Sequence, residues 1–111
     1  MKTREELIEL LKTDVKAFNQ YREETDYDWI DLSECNFFGE NLEGASLQWV
    51  NLADTNMESA NLKKVNFSFS DLTRANFRWA DMRWVDLTEA KIDKSQAKII
   101  LKSLSVRIIG Q

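Results

Sequence analysis

From Leu32 onward a large apolar residue falls at every fifth position: Leu32, Phe37, Leu42, Leu47, Leu52, Met57, Leu62, Phe67, Leu72, Phe77, Met82, Leu87 and Ile92. The residue before each is Asp or Asn in eleven of these thirteen units, with Ser46 and Lys91 as the exceptions. The fifth position is mostly small or β-branched, and Glu40 departs from that rule. A helix repeats every 3.6 residues or so and a strand every 2. Neither brings a five-residue period onto one side. The chain must therefore turn in step with the repeat, and the thirteen large residues form the expected structural core.

The flanks follow other rules. Leu7, Leu11, Val15 and Phe18 make an apolar stripe, broadened by Ile8, Leu10 and Tyr21, which predicts a helix over residues 3–24. Thr3 and Glu6 have capping-box spacing, and Glu5, Glu6 and Glu9 suit a helix start. Tyr27, Trp29 and Ile30 are expected at the join. After the repeat, Ser95 is placed to cap a short helix with Ile99, Ile100, Leu101 and Leu104 inward, and Val106 and Ile108 alternate around Arg107. Three parts result: residues 1–30, an amphipathic helix and capping segment; 31–95, the repeat; and 96–111, a C-terminal cap. The cap is also the segment through which two copies would meet.

Ala60-Asn61-Leu62, Ala75-Asn76-Phe77 and Ala80-Asp81-Met82 match the motif A(D/N)LXX. The register holds without insertion across residues 30–95, so the chain resembles the pentapeptide-repeat family. That resemblance implies an all-β solenoid, a right-handed quadrilateral β-helix with four pentads per coil. Thirteen pentads make about three coils, stacked at about 4.8 Å. Glu40, at an inward position, and Ile30, just ahead of the first pentad, depart from the family pattern. Local distortion, or a hydrogen bond from the cap, is expected at Glu40. The resemblance also implies association through C-terminal ends. In some members it implies protection of DNA gyrase by likeness to acidic duplex DNA.

With the inward positions filled, function is expected on the outer surface. Residues twenty apart should stack there. Arg78 and Trp79 then lie beside Arg83 and Trp84 around one corner, with Lys63 and Lys64 one level below. Trp49 and Phe69 form a second exposed pair. Aromatic rings beside guanidinium groups are typical of protein-interface hot spots. Such a corner can also stack a base or touch phosphate.

Composition narrows the chemistry. There is no His, the commonest general base and a common zinc ligand. The one Cys, Cys35, sits at a small inward position with no imidazole to activate it. No phosphate, dinucleotide, zinc-protease or calcium motif occurs. No catalytic residue, metal site or cofactor is expected, and the chain is read as no enzyme. Net charge is −4, which argues against broad nucleic-acid binding. Charge is uneven: −3 over residues 1–30, −4 over 31–95 and +3 over 96–111. No apolar run approaches membrane-spanning length and no signal peptide follows Met1, so a cytoplasmic protein without membrane contact is expected. The functional reading is a non-catalytic scaffold or protein-interaction module with a protein partner. An acidic DNA mimic binding gyrase or another DNA-binding protein is the alternative. A weak single-strand nucleic-acid binder using the Trp/Arg corner is a further one.

Overall fold

Thr3 opens the first helix, α1 (Arg4–Thr13), with a complete capping box: its hydroxyl accepts the Glu6 N–H at 3.2 Å and its own N–H donates to Glu6 Oε1 at 3.0 Å. The single helix expected over residues 3–24 is two. Asp14 (φ −154°, ψ 84°) ends α1 and starts α2 (Val15–Glu24), its carboxylate accepting the Ala17 N–H at 3.0 Å. An Asp immediately ahead of the second stretch competes for the backbone as an N-cap and breaks the run. The two helices pack on each other. They bury Leu7, Leu11, Phe18 and Arg22. In this computed structural model residues 1–103 are described. The expected contributions of Leu104, Val106, Arg107 and Ile108 lie outside them, as does half of the expected dimerisation segment, residues 104–111.

The expected all-β solenoid, a right-handed quadrilateral β-helix, is corrected by the structure. Strand is confined to β1 (Ile30–Asp31) and β2 (Val50–Asn51), a parallel pair in an open two-stranded sheet. Helix is the larger part of the regular structure, because α3 (Lys94–Ser103) adds ten residues to the ten each of α1 and α2. The pentads are joined instead by single parallel bridges between first-position residues twenty apart, such as Asn36↔Asn56↔Asn76 and Asn41↔Asn61↔Asp81.

The physical reason lies within each pentad. In most units the fifth-position N–H donates back to the second-position carbonyl, as from Ala60 to Met57 at 3.1 Å and from Ala80 to Phe77 at 3.0 Å. The fourth residue has φ near +60° in every unit from Glu34 to Glu89. That is the pattern of a type II turn. With most of each unit spent turning, only its first residues are extended, too few for a strand.

Leu32 through Met82 lie at 2% exposure or less at every second position. The last two members of the expected core do not. Leu87 is half-buried and Ile92 is exposed at 39%. Glu40 brings no distortion. Its N–H reaches Phe37 O at 3.1 Å and its carbonyl accepts from Asn61 at 2.9 Å, as in the other units.

The helices complete the backbone pairing at the first level. Within the stack, second- and fourth-position N–H groups donate to carbonyls nineteen residues on, as Leu32 to Asn51 (2.8 Å) and Glu34 to Ala53 (2.9 Å). The carbonyls of Asp31 and Ser33 have no pentad beneath them. Arg4 takes both, one with each Nη, and sets Nη2 3.4 Å from Cys35 Sγ. Asn19 accepts from Ser46 N at 2.8 Å and donates to Gly44 O at 3.0 Å. Arg22, wholly buried, donates to the carbonyls of Asp28 and Gln48. At the other end Asp93, rather than the expected Ser95, caps α3. Its carboxylate accepts Gln96 N (3.2 Å) and Arg74 N (2.9 Å), while Gln96 Oε1 accepts Asp93 N (2.8 Å). Buried Gln96 donates to the carbonyls of Leu72 and Ala75.

Candidate functional site

The bridges arrange the pentads in four columns, and the aromatic corner spans two of them. One carries Phe38, Glu58 and Arg78 at position three, with Gly39, Ser59 and Trp79 at position four. The next carries Glu43, Lys63 and Arg83, with Gly44, Lys64 and Trp84. The positive φ of position four turns these side chains outward. Trp79 is exposed at 76% and Trp84 at 68%.

Two cations lie near the Trp84 ring. The Arg83 guanidinium lies 5.5 Å from its ring centre and Lys64 Nζ 5.9 Å. Arg83 is aimed by its own pentad, because Nε and Nη2 clasp the Asp81 carboxylate at 3.0 and 2.7 Å. Those hydrogen bonds hold the Asp81 carboxyl below its ordinary pKa. Lys63 reaches down to Glu43 at 3.4 Å, and hydrogen bonds from Asn61 and Lys63 lower the Glu43 pKa. Arg78 forms no ion pair among the described residues. It borders a cleft of about 520 Å³ with Trp79, Ala80 and, from α3, Ile99 and Lys102. That wall is apolar below and cationic at the rim. The α3 contribution was not part of the expected surface, because only the fold brings Ile99 and Lys102 beside Trp79.

The second expected pair lies in a different column. Trp49 and Phe69 stack with centres 4.6 Å apart and planes within 5°. Each shields one face of the other, and they remain 46% and 41% exposed. Arg83 and Lys64 thus lie near Trp84, Arg78 and Trp79 border a cleft in the column on one side, and Trp49 and Phe69 stack in the column on the other. Two further aromatics are exposed, each at 55%: Phe38, on the outer face at position three, and Trp29, which was expected to pack at the join. Trp29 is twenty residues before Trp49, and that spacing was the available signal.

Reaction chemistry has little to work with. Cys35 is 7% exposed and burial pushes its thiol pKa up, with the Arg4 guanidinium opposing. Among the described residues no cluster of acidic or thiol side chains is arranged to hold a metal ion, and no helix is long and apolar enough to cross a membrane.

The model of pentapeptide repeats, with eight copies, matches residues 30–68, 41–78 and 51–89 of the chain. No curated protein matches. Among solved structures, a pentapeptide-repeat protein of the Arabidopsis thaliana thylakoid lumen is 25% identical over 66% of this chain and 55% of its own, with a TM-score of 0.43. QnrB1, a plasmid-mediated fluoroquinolone resistance protein, is 24% identical over 71% of this chain and 45% of its own, with a TM-score of 0.35. A pentapeptide-repeat protein from Nostoc is 26% identical over 58% of this chain and 57% of its own, with a TM-score of 0.31. The chain spans about half the length of each of these structures.

Proposed function

We propose that this chain, which belongs to the pentapeptide-repeat family, is a non-catalytic protein-interaction module whose contact surface is the Trp79–Trp84 corner. One observation carries the reading: two neighbouring indoles, 76% and 68% exposed, are set among Arg78, Arg83 and Lys64 on a backbone paired level to level. Large apolar rings left in water are costly unless something covers them. Tryptophan and arginine are also the residues that dominate binding energy when buried at an interface. The cations beside Trp84 favour its present orientation modestly, which lowers the entropy lost on docking.

The DNA-mimic alternative calls for acidic surface along the length of the molecule. Residues 1–60 carry five basic and fourteen acidic residues, but 61–103 carry nine basic and five acidic. The acidity is confined to one half and the corner lies in the other.

The test is capture from a lysate of the native host by wild-type protein and by the Trp79→Ala/Trp84→Ala double variant, after both are shown to melt alike. A protein retained by the first and lost by the second is the expected result. Equal capture by both, or none by either, overturns the assignment of this corner.

A further inference from the structure

The chain climbs the stack in sequence order, so charge along the sequence is charge along the molecule. The half built from residues 1–60 is net −9 and the half from 61–103 is net +4. One corner column shows the same polarity residue by residue. From first level to last, position three runs Glu43, Lys63, Arg83 and position four runs Gly44, Lys64, Trp84. The neighbouring column likewise begins with Gly39 at position four and ends with Trp79. Each column carries a bare backbone step at its first level and a projecting indole at its last. A Cβ built on Gly44 or Gly39 meets nothing within 4 Å, so the space above both is open.

We infer that this corner takes a second copy of the chain, laid side by side and antiparallel about a two-fold axis through the middle level. The inference rests on the reading of the corner as an interaction surface and names one occupant for it. Reversal sets Trp84 of one copy over Gly44 of the other and Arg83 against Glu43, twice over, as a self-complementary interface requires. The atoms needed are spare. Asp81 occupies Nε and Nη2 of Arg83 and leaves Nη1, while Asn61 and Lys63 occupy Oε1 of Glu43 and leave Oε2. Beside Glu43 a cleft of about 540 Å³, walled by Lys12, Asp14 and Val15, gives the incoming ring a second side to rest on. At the middle level Lys63 and Glu58 each face their own counterpart, like-charge contacts that the two Arg83–Glu43 pairs must outweigh. A parallel pair would place Glu43 on Glu43 and Arg83 on Arg83, which like-charge repulsion disfavours. Three levels about 4.8 Å apart make a patch smaller than the roughly 800 Å² per partner of a standard interface. The pairing is therefore weak and is seen only at high concentration.

The experiment is sedimentation equilibrium at low salt, up to about 1 mM protein, the range in which a weak pair is populated. Wild type is compared with Glu43→Arg, Arg83→Glu and an equimolar mixture of the two, each first shown to melt cooperatively. Wild type should approach twice the monomer mass, and added salt should weaken it. Each variant alone should stay monomeric. The mixture should recover the dimer, because it restores both opposite-charge contacts between chains and neither within one. Gly44→Lys provides an independent variant. Lys64 already holds that backbone conformation one level up, so the protein should fold while the side chain fills the seat of Trp84 and abolishes the dimer. Wild type that stays monomeric at every concentration overturns the inference. So does a dimer indifferent to Glu43→Arg and Gly44→Lys, or a mixture that fails to recover. Lysate capture that depends on Trp79 and Trp84 would survive all three, and its loss would leave a two-fold pair standing.

Discussion

Ser59 and Arg78 share one hydrogen bond and should respond to the same substitutions in opposite order. The Ser59 N–H donates to Arg78 O at 2.9 Å, so the two positions belong to one rung. Ser59 is fourth in its pentad, exposed, with φ at +61°. Arg78 is third in its pentad, where a type II turn is extended. An L-residue pays about 1–2 kcal/mol to stand in the left-handed region. Glycine escapes that cost but loses about 0.4–1 kcal/mol through its freer unfolded chain. Ser59→Gly should therefore be more stable than Ser59→Ala by about 0.5–1 kcal/mol, and Ser59→Val, branched at Cβ, should fall about a further 1 kcal/mol. At Arg78 only the unfolded-state effect remains. Arg78→Gly should be the weakest there, and Arg78→Val no worse than Arg78→Ala. In a domain of this size 1 kcal/mol moves Tm by about 4–8 °C, so thermal melts at low protein concentration separate the two orders. If both positions rank Gly, Ala and Val alike, the left-handed fourth position is not what shapes this backbone.

Gln96→Ala should cost about 1–3 kcal/mol in urea unfolding, since it strands the buried Leu72 and Ala75 carbonyls and opens the α3 cap; an unchanged midpoint would remove Gln96 from that role. Cys35, buried and with its thiol pKa raised, should resist iodoacetamide in the folded state and react at the rate of unfolding, so rapid alkylation of native protein would contradict its placement. The carboxyls of Asp54 and Asp81 are held below their ordinary pKa by hydrogen bonds from Arg74 and Arg83. Their stabilisation is complete above the unfolded-chain value of about 4 and is lost as pH falls through the lower folded values. An acid titration of Asp54→Asn and Asp81→Asn should then run flatter than wild type below that pH, whereas parallel curves would show that neither pair matters to folding.

What could be read in the residue order, and what could not, divides by physical range. The five-residue period reports a local fact: the side of the backbone on which Leu32, Phe37 and their successors fall. The turn that produces it is also local, and its trace was present. No β-branched residue occupies position four between Glu34 and Glu89, although Thr73 and Thr88 stand at position three. The break at Asp14 was legible in principle as an acidic N-cap ahead of Val15. The continuous apolar stripe concealed it, because one face can be shared by two helices. The all-β expectation failed because the period says how often the chain returns but not how many residues stay extended between turns. Contacts made only by the assembled chain were out of reach. Arg22 reads as a surface charge at the end of a helix yet is fully buried, with carbonyls as partners. Ile92 continues the apolar series, and nothing in its own pentad announces that it is exposed. Ile99 and Lys102 belong to the corner only because α3 runs back along Trp79.

The two ends are fitted to particular columns. Arg4, through Asp31 and Ser33, and Gln96, through Leu72 and Ala75, grip the same one from opposite sides. The body between them is in effect a vernier with a step of twenty. A duplication of twenty residues would lengthen the molecule by one storey and return Asp93 and Gln96 to the column they now close. A duplication of five would satisfy every local rule of the repeat and still deliver α3 to the wrong wall. Length is therefore free to drift in this architecture only in whole circuits, although the motif that spells it is four times shorter.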